Sequence, residues 1–193
     1  MRLSIFGYGG HAREVAQQID QPVTFYVDDL YSNDFAKPIS EFDPDEYVMM
    51  VAVSDTEERK KIVERLPKKT KYFTFIHPTA LILDKNIKIG EGSFIGAYSI
   101  LTTNIQIGKH AILNRGNQVG HDTIIGDYFS AMPGSIISGN VIVGNNCYLG
   151  TNSTIIEKKN ICDDVIIGAN AVVVKNINEK GTYVGVPTKK IKK

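Results

Sequence analysis

The sequence predicts two unlike halves: an α/β half-fold with a short parallel sheet over residues 1–76, then a parallel β-helix over residues 77–193. Two observations carry this reading. From Leu83 to Val173 every sixth residue is Leu, Ile or Val, with Ala131 the one exception in sixteen positions. Before His77-Pro78 no such period exists, and short apolar runs alternate there with helical spacing.

A period of six fits neither an α-helix nor a hairpin. It fits a solenoid in which each unit is a short strand plus a corner, with three units closing one triangular coil. Coils stack at about one strand spacing, ~4.8 Å, so five of them make a prism ~24 Å long. The aliphatic residue fills the axis. Glycine follows it at Gly90, Gly96, Gly108, Gly120, Gly126, Gly144, Gly150 and Gly168, where the corner backbone needs freedom. Small residues recur between the aliphatics, as at Ser93, Ser99, Ala111, Ser135, Cys147, Ser153 and Ala171.

In the first half, strands are expected at Arg2–Phe6, Val23–Val27, Tyr47–Val53 and Lys71–Ile76. A helix is expected over His11–Asp20, with Ala12, Val15, Ala16 and Ile19 on one face. A second, Asp55–Leu66, opens at Ser54 as N-cap with Glu57 three residues on, and stops at Pro67. Strand and helix in alternation imply a parallel sheet with right-handed crossovers.

The bulk numbers exclude several classes. A net charge of +1 over 193 residues leaves no field for nucleic acid. No apolar run approaches the roughly 18 residues that span a bilayer, so membrane insertion is not expected. The N-terminus reads as a strand rather than a signal peptide. Cys147 and Cys162 show no metal spacing and read as reduced thiols of a cytoplasmic protein, Cys147 as a packing residue. The basic end, Lys189, Lys190, Lys192 and Lys193, reads as a solvated tail, with a phosphate contact as the other reading.

Residues that the repeats do not require are the functional candidates. His121 sits at a corner, in Val119-Gly120-His121-Asp122, where any polar residue would serve structurally. An imidazole, with an ordinary pKa of about 6.5, suits a general base at neutral pH. Asp122 would support it by charge or by orienting the ring. Asn114, one repeat earlier, would add a hydrogen bond to the same region, or simply line its corner. His110 is expected at another corner as an exposed structural residue. A three-histidine zinc site of the γ-class carbonic anhydrase type needs two histidines five residues apart; His110 and His121 are eleven apart, so no metal is expected.

In the first half, Gly7-x-Gly9-x-x-Ala12 follows a strand and opens a helix, and Asp28 and Asp29 follow the next strand. This is a Rossmann-like phosphate turn with an acid placed for a ribose. The half-fold is too short for a full dinucleotide site, so a mononucleotide fits it better than a nicotinamide cofactor. The bland alternative is a glycine turn that only packs strand against helix. His11, where a Ser, Thr, Asp or Asn cap is usual, looks placed for a ligand.

Gly7-Tyr8-Gly9-Gly10-His11-Ala12, Val27-Asp28-Asp29, Val119-Gly120-His121-Asp122, Gly139-Asn140-Val141, Gly144 to Gly150, Asn178-Glu179-Lys180-Gly181 and Gly185-Val186-Pro187 together resemble the sialic-acid O-acetyltransferase-like family of hexapeptide acyltransferases. Within it they are most similar to bacterial N-acetyltransferases of nucleotide-linked 4-amino-4,6-dideoxy sugars, of the bacillosamine-pathway type. The resemblance implies a left-handed β-helix and transfer from acetyl-CoA to the C4 amine of a UDP- or dTDP-linked sugar in bacterial glycan biosynthesis. It implies His121 as general base with Asp122 beside it, and a nucleotide-sugar pocket lined by Gly9, Gly10, His11, Asp28, Asp29 and Ser54. Acetyl-CoA would lie in the groove between subunits of a homotrimer near Ser130, Thr151 and Ala169. Some relatives carry His where this chain has Ser130. The competing readings are an O-acetyltransferase acting on a sialic acid or another sugar hydroxyl, and a catalytically silent trimeric scaffold.

Overall fold

The computed structural model describes residues 1–191; Lys192 and Lys193 of the basic tail lie outside the described residues. The chain divides into two compact units, Met1–Thr74 and the remainder from Phe75.

The first unit is a five-stranded parallel sheet. Its elements are β1 (Arg2–Phe6), α1 (Gly10–Ala16), β2 (Val23–Val27), β3 (Lys37–Pro38), β4 (Tyr47–Val51), α2 (Thr56–Arg65) and β5 (Lys71–Tyr72). The spatial order is β3-β2-β1-β4-β5. Ile5 in β1 and Met49 in β4 are fully buried, so the centre of the sheet carries the core. The chain leaves β3 on one side of β1 and re-enters as β4 on the other. That reversal opens a crevice beyond the carboxyl ends of β1 and β4, where ligands of such sheets bind.

Three local expectations are corrected. The Lys37–Pro38 strand is additional, and Lys71–Ile76 is two strands, Lys71–Tyr72 here and Phe75–Ile76 in the second unit. Helix α1 ends at Ala16 rather than Asp20. Helix α2 is capped one residue later than expected: the Asp55 carboxylate, not the Ser54 hydroxyl, accepts the Glu58 N–H at 2.8 Å. The chain stops being helical at Leu66, because the following Pro67 disfavours helical geometry in the residue before it.

The second unit is the parallel β-helix, built mostly of two-residue strands in three sheets that are parallel up to the final strand. Face I begins with Phe75–Ile76 and Phe94–Ile95, face II with Leu81–Ile82 and Ile100–Leu101, and face III with Lys88–Ile89 and Gln106–Ile107. Through most of the solenoid the pairing offset is eighteen residues, as in Leu101↔Val119 and Leu113↔Ala131. The first coil differs. Leu101 pairs with Ile82 and Ile95 with Ile76, nineteen residues apart. The six-residue register therefore slips once: Ile82 packs on the core, while Leu83, expected inside, is 64% exposed. The last coil is shorter by two residues, with Ile167 paired to Tyr183, and closes on an antiparallel pair, Gly181–Val184 with Lys189–Ile191.

The axis is filled by the sixth-residue aliphatics from Ile95 to Val173, each adding about 1.5–3 kcal/mol when fully buried. Ala131 leaves a shortfall that the ring of Phe129, itself fully buried two residues earlier, makes good. The glycines after the aliphatics have a further cause on the edge between faces III and I. There the Asp127, Asn145 and Asp163 Oδ1 atoms occupy the space that a Cβ on Gly108, Gly126 or Gly144 would need. Those oxygens accept the backbone N–H groups of Lys109, Asp127 and Asn145, one coil earlier, at 2.7, 2.8 and 2.8 Å. The Cys147 thiol is fully enclosed, and burial pushes it up to about 12, as suits a packing residue.

Candidate active site

On the edge between faces II and III the chain turns through Gly120-His121-Asp122-Thr123. Asp122 takes a left-handed backbone conformation (φ 59°), a geometry that Asn and Asp tolerate better than most residues. Its N–H is held by the Thr103 carbonyl at 3.1 Å. The turn brings His121 Nδ1 to 2.7 Å from Asp122 Oδ2, with the two side chains 56% and 46% exposed.

The pair is framed by its neighbours along the edge. One coil earlier, Asn104 Nδ2 donates to Asp122 Oδ1 at 2.6 Å. Asn104 is fixed in turn by Asp84, whose Oδ2 accepts the Asn104 N–H at 3.1 Å and the Thr103 hydroxyl at 2.8 Å. One coil later stands Gly139, where a Cβ would come within 2.6 Å of His121 Nε2. Glycine at 139 therefore leaves room for the ring.

Hydrogen bonds from Asn104, then from His121, hold the Asp122 carboxyl below the usual carboxylate range. An ionised Asp122 can only accept, so Nδ1 carries the imidazole proton and Nε2 keeps a lone pair. A half-exposed imidazole with a free lone pair and a carboxylate behind it is equipped to take a proton from an incoming nucleophile.

The structure separates some of the residues expected together. Asn114 lies on the edge between faces I and II, not beside His121; its Oδ1 accepts the Arg115 N–H at 2.8 Å and its carbonyl the Ser99 hydroxyl at 3.1 Å. Asn104 supplies the amide at the histidine edge instead. His110, expected to be exposed, is only 3% so. Its ring lies against Tyr128, with centroids 5.3 Å apart, over Gly92, where a Cβ would collide with it. Thr151 and Ala169 are exposed in consecutive coils on the edge between faces I and II, joined by the Asn170 N–H to the Thr151 carbonyl at 2.9 Å. Ser130 does not join them. It is fully buried on a face I strand, paired with Ile112 and Tyr148.

In the first unit, the expected nucleotide residues gather at the carboxyl ends of β2, β1 and β4. Gly7 adopts φ 113°, which requires glycine. Gly9 and Gly10 border open space, and no side chain caps α1 at Gly9. Burial lowers the His11 imidazole from its usual value. Asp28 is paired with Arg65 at 2.6 Å, and Asp29 Oδ1 accepts the Ser40 N–H at 3.1 Å. Ser54 is half-buried just beyond β4.

Sequence reasoning missed two features of this end. Arg59, fully buried, donates to the Val53 carbonyl at 2.5 Å; its signal was a cation on the α2 face that carries Ile62. Leu30, Tyr31 and Phe35, between β2 and β3, are 93%, 71% and 70% exposed, with Phe35 stacked on Tyr8 of the glycine turn at 5.9 Å.

Among the described residues no helix is long and apolar enough to cross a membrane, and no cluster of three or more His, Cys, Asp or Glu is arranged to hold a metal.

Residues 2–66 match the PglD N-terminal domain, and residues 122–157 match the bacterial transferase hexapeptide repeats. The GDP-perosamine N-acetyltransferase of Escherichia coli O157:H7 is 26% identical over 169 residues, 78% of this chain and 76% of the relative. A mutant of perosamine N-acetyltransferase from Caulobacter crescentus, solved with CoA and GDP-perosamine, superposes with a TM-score of 0.87 at 26% identity, over 100% of this chain and 98% of that one. The acetyltransferase domain of PglB from Neisseria gonorrhoeae, solved with acetyl coenzyme A, gives 0.88 at 25% identity, over 98% of each chain.

The solenoid is thus the left-handed β-helix of the hexapeptide-repeat acetyltransferases. With the PglD-type domain ahead of it in the sequence, the chain is similar over most of its length to nucleotide amino-sugar N-acetyltransferases.

Proposed function

We propose that this protein transfers the acetyl group of acetyl-CoA to the C4 amine of a nucleotide-linked 4-amino-4,6-dideoxy sugar, with His121 as general base. The observation that carries this is the 2.7 Å contact between His121 Nδ1 and Asp122, which leaves Nε2 with its lone pair beside the space kept by Gly139. Acetyl-CoA supplies an activated thioester. The amine forms its bond to the carbonyl carbon as the carbon–sulfur bond breaks, His121 Nε2 takes the amine proton, and Asp122 stabilises the imidazolium. The same proton is then delivered to the departing thiolate, so the pair ends as it began. No nucleophilic side chain is needed.

In this reading Gly9, Gly10 and the start of α1 hold the phosphates. His11, Asp28, Asp29 and Ser54 border the same crevice, and the exposed Phe35 rim suits an aromatic base. The nucleotide is UDP or dTDP on the sequence reading, and GDP on the likeness to the perosamine enzymes. Thr151 and Ala169 fit an extended co-substrate. They sit on a different edge of the prism from His121, so an acetyl-CoA held between the edges of two copies would meet both. That supports a homotrimer, with three chains of 21.3 kDa.

The test is a panel. Acetyl-CoA consumption is measured with UDP-, dTDP- and GDP-linked 4-amino sugars and with a sialic acid, and the product is sited by mass spectrometry. Acetylation of an amine on one nucleotide series supports the proposal. Preferential acetylation of a hydroxyl would replace it with an O-acetyltransferase.

A further inference from the structure

Asp122 is placed to orient His121, but a carboxylate on an exposed corner can rotate, and 46% exposure leaves it little packing to prevent this. What restrains it is the other oxygen. Oδ1 is taken by Asn104 at 2.6 Å, and only Oδ2 is then left for His121 at 2.7 Å. Asn104 is itself fixed. It occupies the left-handed corner position (φ 51°) one coil before Asp122, and Asp84 grips its backbone N–H and the hydroxyl of neighbouring Thr103.

Asp84 reaches that position because of the register slip. The additional residue of the first coil lies between Ile82 and Ile89, so Asp84 stands nineteen residues before Thr103 rather than eighteen. Its other oxygen caps its own turn at the Asn86 N–H, at 2.8 Å. On the far side of the histidine, the corner Ser138 to Val141 brings no titratable group, and the corner beyond it carries Glu157, Lys158 and Lys159, whose Lys158 N–H donates to the Gly139 carbonyl at 3.1 Å.

We infer that Asn104, anchored by Asp84, is a positioning residue for the reaction: it locks the Asp122 carboxylate in the one rotamer that keeps the His121 proton on Nδ1 and the lone pair on Nε2. The inference rests on His121 being the base. The low protonation range of Asp122, caused first by Asn104, agrees with it.

Two variants preserve the left-handed backbone and separate this role from a merely structural one. Asn104→Gly removes the amide, and Asn104→Asp replaces the donor with a second carboxylate. Both are expected to lower kcat about tenfold, the worth of one hydrogen bond to a charged group, with KM for both substrates and the melting temperature close to wild type. Their pH profiles should move in opposite directions. Losing the restraint on Asp122 in Asn104→Gly weakens support for the imidazolium and shifts the acidic limb of kcat/KM to lower pH. The added negative charge in Asn104→Asp shifts it to higher pH.

Nitrogen-15 NMR of the histidine rings should show the Nδ1–H tautomer of His121 in the wild-type protein and a mixture in Asn104→Gly. Unchanged kcat and an unchanged tautomer in Asn104→Gly would overturn the proposal, as would a loss of activity matched by a fall in melting temperature. The two readings fail separately. If His121→Ala stays active, the base assignment fails; if His121→Ala is inactive while Asn104→Gly is normal, only the positioning role fails.

Discussion

Two edges of the same β-helix carry polar residues at equivalent places and use them differently. On the edge between faces III and I, Asp127, Asn145 and Asp163 each direct an oxygen onto a backbone N–H one coil earlier. On the edge between faces II and III, Asn104, Asp122 and His121 bond to one another, and the last ring nitrogen is directed to no backbone group. The first arrangement completes the hydrogen bonding of the solenoid. The first edge also holds an Asn–Asp side-chain bond, Asn146 Nδ2 to Asp164 Oδ1 at 2.7 Å; the second adds to the same kind of bond a histidine that the fold does not require. In a repeat protein, where every corner must satisfy the same backbone, the residue added at the end of such a ladder, here His121, separates chemistry from structure.

Perturbing the two edges should therefore have opposite signatures. After removal of His121 itself, the largest effect is expected from Gly139→Ala. The Cβ would come within 2.6 Å of Nε2 and 2.8 Å of Cε1, so the ring must swing away from Asp122. Residue 139 does not sit at positive φ, so alanine is tolerated by the backbone. A fall in kcat of about a hundredfold with a nearly unchanged melting temperature is the expected result of steady-state kinetics and calorimetry.

Asp122→Asn comes next, at about ten- to a hundredfold in kcat, since an amide can hold the ring in the wrong tautomer and does not stabilise the imidazolium. The pH dependence sharpens this. Because the folded-state Asp122 titrates below the usual carboxylate range, its stabilising contribution is present above that range and is lost only as pH falls through the depressed value. The acidic limb of wild-type kcat/KM should accordingly carry no contribution from Asp122, and a limb of slope two would mean that it does.

The smallest effect on turnover is expected on the other edge. Asp127→Ala leaves the Lys109 N–H without its carboxylate and should cost about 1 kcal/mol of stability in denaturant unfolding, with kcat unchanged. A large kcat effect from Asp127→Ala would erase the distinction between the edges.

The solenoid was legible because a six-residue period repeats its own signal; the aliphatic ladder needs no long-range information. The slip at Leu83 was hidden by chemistry, since Ile82 and Leu83 are both aliphatic and only pairing to Leu101 decides which points inward. His110 was misplaced outward for a related reason: Gly92, one coil earlier, opens the space into which the ring folds. His121 and Asp122 were legible as residues that the repeat did not need. Asn104 was not, because its partner lies eighteen residues away, although its place in the same corner position as Asp122 was available to a column-wise reading. In the first unit the glycine turn and the two acids were read from a local motif. The cap shifted from Ser54 to Asp55 because adjacent residues with capping oxygens compete, and geometry rather than composition chooses between them.

The central claim, that the exposed ring nitrogen of His121 moves the proton, is tested most directly by the turnover of His121→Ala with acetyl-CoA and the amino-sugar nucleotide that the panel selects, at saturating concentrations of both. A loss of about 10²- to 10⁴-fold in kcat, with assembly and acetyl-CoA binding retained, is the expected result. Turnover within about threefold of wild type would contradict it and return the histidine edge to the status of the structural ladder beside it.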